Sequence, residues 1–111
     1  EIYPGSEDPQ SVTDTIYGGS AAAFDAAKPI TIMQKAPRGA YDGVTAFFSA
    51  GQLDPQYQGE ASQVSAAAKA VGMNVTYTVI PGVGHVGADV PDSLTAAFAL
   101  FYPVLGLSPP Q

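Results

Sequence analysis

Cysteine and tryptophan are absent from this chain of 111 residues, histidine occurs once, and only four residues are basic. Without cysteine there is no disulfide framework, no thiolate nucleophile and no cysteine metal site, and the redox compartment is left open. A single histidine with scattered carboxylates does not make a zinc ligand set, and nothing calls for a cofactor. Lys28, Lys35, Arg38 and Lys69 form no patch able to neutralise phosphates, and ten acidic residues bring the net charge to −6. Nucleic acid and anionic membrane surfaces are therefore not expected partners. No apolar run approaches the ~20 residues that span a bilayer. Glu1-Ile2-Tyr3-Pro4-Gly5 also lacks the basic and apolar regions of a signal peptide, so the chain reads as a mature or trimmed product, or one whose address lay upstream.

What remains is the composition of a chain that buries a core, 46% hydrophobic and 13% charged. Residues 1–19 are rich in Pro, Gly, Ser and Asp and read as an irregular leading segment with one helical turn near Val12–Tyr17. Ser20 suits the N-cap of a short alanine-rich helix, Ala21–Ala27, ended by Lys28-Pro29. A helical turn at Ile30–Gln34 and a loop at Ala36–Gly43 come next.

Val44–Ala50 is a short apolar run closed by Gly51, as expected of a strand buried on both faces. From about Gln56 to Val71 the spacing predicts a helix. Ala61, Val64, Ala68 and Val71 make one apolar stripe, and Gly72 stands where a C-terminal stop belongs. Asn74–Ile80 is dense in β-branched and aromatic residues and predicts a second strand. A glycine-rich loop, residues 81–87, leads to a last helix from Pro91 to about Tyr102. Its expected buried face is Leu94, Ala97, Phe98, Phe101 and Leu105, with Asp89 or Asp92 at its start and a frayed Pro-rich tail from Gly106. Strand, helix, strand, helix implies an α/β fold with a parallel pair joined by a right-handed crossover. Two such strands want neighbours, which points to a piece of a larger sheet or to a chain that assembles.

In open parallel sheets the chemistry gathers beyond the carboxyl ends of the strands. Asp54 follows the first strand and His85 the second. Loops leaving one rim of adjoining strands can meet, and a carboxylate there can orient an imidazole that takes a proton from a hydroxyl. Each residue also has a plainer reading: Asp54, before Pro55, as a helix cap, and His85 as a surface residue of a glycine-rich loop. Asp89 is a rival orienter whose place before Pro91 favours a cap, and Asp42 precedes its strand and falls at the wrong rim. Gly82-Val83-Gly84-His85-Val86-Gly87 matches G-x-G-x-x-G, yet only 24 residues follow Gly87 and no acid lies beyond Asp92. The βαβ context of a dinucleotide fingerprint is missing. Gly18-Gly19-Ser20-Ala21-Ala22 resembles a nucleophile elbow only loosely, because no apolar strand leads into it and a cap explains Ser20 more simply.

Gly19–Pro29, with its Gly-Ser-x-x-x-Phe run, Phe47–Asp54 ending in Gly-x-x-Asp, Gly72–His85 ending in Pro-Gly-x-Gly-His, and the closing Leu94–Leu107 together resemble the C-terminal portion of the esterase D-like family of α/β-hydrolases. S-formylglutathione hydrolases, feruloyl esterases and mycolyltransferases belong to that family. The resemblance implies a partial α/β-hydrolase fold over 1–111 and a catalytic triad with Asp54 as its acid and His85 as its base. It also implies a serine nucleophile and oxyanion loop in sequence before Glu1, so that the fragment alone is inactive. The implied substrate is a small-molecule or lipid-like ester, and the implied partner is the remainder of the hydrolase domain or a second copy. The low lysine content and the esterase likeness are compatible with a secreted or cell-envelope protein. The competing expectation is a noncatalytic α/β module that associates through an exposed sheet edge.

Overall fold

The computed structural model describes residues 9–85 and 90–108. Residues 1–8 of the leading segment, Val86 to Asp89 and the last three residues lie outside them, and with these go Asp89 and the last two residues of the G-x-G-x-x-G run, Val86 and Gly87.

The elements in chain order are α1 (Pro9–Ile16), α2 (Ala21–Ala27), α3 (Pro29–Lys35), β1 (Thr45–Gly51), α4 (Pro55–Ala70), β2 (Asn74–Ile80) and α5 (Val90–Val104). From Pro9, where its description begins, the leading segment is more regular than its composition suggests. In place of one turn near Val12–Tyr17 it holds two turns of helix, with proline at the first position, where its missing N–H is not needed. Ser20 caps α2 as expected, its hydroxyl accepting the Ala23 N–H at 3.1 Å.

β1 and β2 form a two-stranded parallel sheet in unbroken register from Thr45↔Asn74 to Gly51↔Ile80. The architecture is therefore mixed α/β. Because of this register, both strands stop at the same level and release their loops at one rim. α4 packs against both strands. Its predicted stripe faces inward, with Ala68 fully buried and Ala61, Val64 and Val71 half-buried. Gly72, at φ +95°, ends it: the Met73 N–H reaches the Ala68 carbonyl and the Gly72 N–H reaches that of Lys69. This paired arrangement satisfies the helix's last carbonyls and requires a left-handed residue.

α5 departs from expectation. Ala97 and Phe101 are half-buried, but Leu94 (48%), Phe98 (52%) and Leu105 (68%) are exposed, and no residue of the helix is buried. The stripe is amphipathic, yet a sheet of two strands is too narrow to cover all of it. The helix also runs through Pro103, past its expected end at Tyr102, and closes at Gly106 with the Leu107 N–H on the Tyr102 carbonyl. Gly106 and Leu107 thus terminate a helix and are not part of a frayed tail. Among the described residues the buried apolar ones, Phe24, Met33, Ala50, Ala68 and Ile80, come from α2, α3, β1, α4 and β2.

Candidate functional site

At the carboxyl rim of the sheet the two strand-to-helix loops are bonded to each other. The Gln52 N–H donates to the Ile80 carbonyl and the Leu53 N–H to that of Val83, both at 2.9 Å. The Gly82 N–H returns a bond to Gln52 Oε1 at 2.9 Å. From the first turn of α4, Gln58 Nε2 donates to the carbonyls of Gly51 and Gln52, which fixes the bend after β1. Such close approach is possible only because residue 51 has no side chain. A Cβ there would stand 2.5 Å from the Val83 carbonyl oxygen and as close to that of Gly84.

Hence Gly51→Ala must push the histidine-bearing loop away from β1. Overpacking of this kind costs about 1–3 kcal/mol, and the urea midpoint should fall accordingly. Gly84→Ala is the matched control, since a Cβ at that position meets nothing within 4 Å. Equal stability of the two variants would refute the close approach.

Asp54 divides its two oxygens between two tasks. Oδ1 accepts the Tyr57 N–H at 3.2 Å and caps α4. Oδ2 lies 2.9 Å from His85 Nδ1. Cap and ring orienter are thus not alternatives for Asp54, because a carboxylate has lone pairs enough for two donors. Its side chain is 12% exposed and that of His85 57%, so a sheltered acid holds a ring that reaches solvent. With Nδ1 donating to the carboxylate, the neutral ring keeps its free lone pair on Nε2. Among the described residues nothing bonds to Nε2.

Tyr57 is the residue that pattern reading missed. Its ring stacks on the imidazole with centroids 4.1 Å apart and planes 23° from parallel. An aromatic side chain three residues after a capping acid was the available signal, because that position in the first helical turn projects back over the cap. Carboxylate and phenol ring together hold the imidazole at its edge and on its face.

A cavity of ≈ 170 Å³ opens beside this pair, walled by Ser49, Gly51, Asp54, Tyr57, Gly84 and His85. Ser20 is not part of its wall and is occupied as a cap. Asp42 lies with Gly72 along a cavity of ≈ 310 Å³ near the amino ends of the strands, the rim where it was expected to be of no use to His85. Among the described residues no group of three His, Cys, Asp or Glu side chains could hold a metal, and no helix is long and apolar enough to cross a membrane. No family model, curated protein or solved structure matches the chain.

Proposed function

We propose that this chain is the acid-and-histidine portion of a serine carboxylic-ester hydrolase or acyltransferase of the α/β-hydrolase fold. The observation that carries the reading is the Asp54 Oδ2 to His85 Nδ1 contact at 2.9 Å, made from the ends of two adjoining parallel strands with Nε2 left unbonded among the described residues. A carboxylate on Nδ1 sets the tautomer that leaves Nε2 basic, and it stabilises the imidazolium once a proton arrives.

In this reaction a serine hydroxyl supplied from sequence before Glu1 attacks the ester carbonyl. Its proton passes to His85 Nε2 while Asp54 stays ionised. Collapse of the tetrahedral adduct breaks the C–O bond to the leaving alcohol, which takes that proton from His85. Water, or an acceptor alcohol in a transferase, then enters by the same route in reverse and frees the serine. The substrate class is a small-molecule or lipid-like ester. No cofactor enters any step. The partner is the remainder of the hydrolase domain or a second copy.

The isolated chain should hydrolyse p-nitrophenyl acetate no faster than buffer, with Ser20→Ala making no difference. Turnover by the chain that vanishes in Ser20→Ala would make Ser20 the nucleophile and sink the proposed division of labour. The coding sequence ahead of Glu1 is the companion test. An apolar strand running into Gly-x-Ser-x-Gly supports the enzyme. Its absence favours the second reading, a noncatalytic module. The exposed Leu94–Phe98–Leu105 stripe would suit such a module, as would the outer edges of both strands, unpaired among the described residues.

A further inference from the structure

We infer that Ser49 and Ser93 form a clasp that positions His85, both being positioning residues and neither a catalytic one. The inference rests on the hydrolase reading for its meaning, though not for its test.

His85 is more than half exposed, so few contacts hold it. Its contacts with Asp54 and Tyr57 both come from the start of α4. Each works only while the loop delivers the ring to that spot. On the near side, the loop is tied to the β1–α4 bend through Gly82 and Val83. On the far side, the chain runs on into α5, and α5 is weakly seated: no residue of it is buried.

Among the described residues the polar tie between this helix and the sheet is one bond, Ser49 Oγ donating to Ser93 Oγ at 3.0 Å across 44 residues of sequence. It joins the carboxyl half of β1 to the first turn of α5. Ser49 is also a wall of the cavity beside His85. Bonding to Ser93 therefore fixes that wall as well as the helix start. Among the described residues the partner of the Ser49 hydroxyl is Ser93 and not the imidazole, which separates this role from that of a nucleophile.

Serine suits both positions for a physical reason. A hydroxyl both donates and accepts, so two of them close a bond without leaving a buried charge, and the short side chains require β1 and α5 to approach closely. Alanine at either position would leave the partner hydroxyl without its mate in a part-buried place.

His85 is the sole histidine, so its ring resonances in the full chain are unambiguous. ¹⁵N and ¹H spectra of the ring report the Nδ1–H tautomer, and a nuclear Overhauser effect between the Tyr57 and His85 rings reports the stack. Ser49→Ala and Ser93→Ala should each abolish the Nδ1–H resonance and the inter-ring effect while the amide spectrum of β1, β2 and α4 stays in place. The double variant should do no more than either single one, and Ser93→Thr, which keeps the hydroxyl, should restore both signatures. Wild-type ring signatures in both alanine variants would overturn the clasp, even if α5 amides moved, because the bond would then be structural only. Should Ser49→Ala fail to fold, Ser93→Ala on the half-exposed side of the helix decides the matter alone. Since no turnover is read, loss of the ring signatures in a protein that proves not to be a hydrolase upholds the clasp and removes the hydrolase reading. Unchanged signatures in an active hydrolase do the reverse.

Discussion

In the proposed hydrolase, once completed by its nucleophile, His85→Ala is expected to lower kcat on the order of 10⁶-fold, the loss seen when the base of such a triad is removed. The chain should stay folded. The imidazole sits at a loop, 57% exposed, and its removal forfeits one ring stack and one hydrogen bond near solvent, a cost of about 1–2 kcal/mol. Loss of rate without loss of fold is what separates a catalytic group from a structural one. Asp92→Ala is the control, because Asp92 lies in the first turn of α5 and serves the helix dipole, a contribution of about 0.3–1 kcal/mol, and turnover should survive. Rates on p-nitrophenyl acetate, set beside thermal unfolding of the same samples, make the comparison. A fully active His85→Ala enzyme would remove the histidine from the mechanism.

Asp54 permits a sharper experiment, since its two oxygens do separable work. Asparagine is as good an N-cap as aspartate, so Asp54→Asn should leave α4 and the melting temperature intact. The carboxamide can turn an N–H toward Nδ1, which forces the imidazole into the other tautomer and removes the basic lone pair from Nε2. In a triad this exchange costs about 10⁴-fold in kcat. Asp54→Ala should lose the same rate and, in addition, about 1 kcal/mol of stability with the cap. The pair of variants therefore divides catalysis from capping. In the chain by itself, both should lose the His85 Nδ1–H resonance while only the alanine variant melts early. An Asp54→Asn protein that keeps full turnover would show that the carboxylate is a helix cap and nothing more.

An apolar run closed by glycine, a helical apolar stripe and a cluster of β-branched and aromatic residues are enough to place β2 at Asn74–Ile80 and to bring β1 and α4 within one residue of their observed bounds. Ser20 and Gly72 are legible as helix punctuation for a local reason: a hydroxyl at an N-cap and a left-handed glycine at a C-terminus satisfy backbone groups only a few residues away. Asp54 and His85 are legible as candidates because chain order alone puts both after strands. The burial of α5 is legible only in part. A stripe of Leu94, Phe98 and Leu105 announces that a helix wants an apolar neighbour, but its sequence carries no information on how wide a surface awaits it.

The residues by themselves determined the α/β character, the parallel order and the rim at which a carboxylate and an imidazole would emerge, because hydrophobic period and turn chemistry are properties of short stretches. Only the tertiary structure decided that the Asp54 carboxylate serves cap and ring at once, that Tyr57 covers the imidazole, that Gly51 must lack a side chain and that Ser49 meets Ser93. Each of these depends on atoms from segments far apart in the chain arriving within a few ångströms of one another. Such distances come from register and packing, which no local pattern specifies.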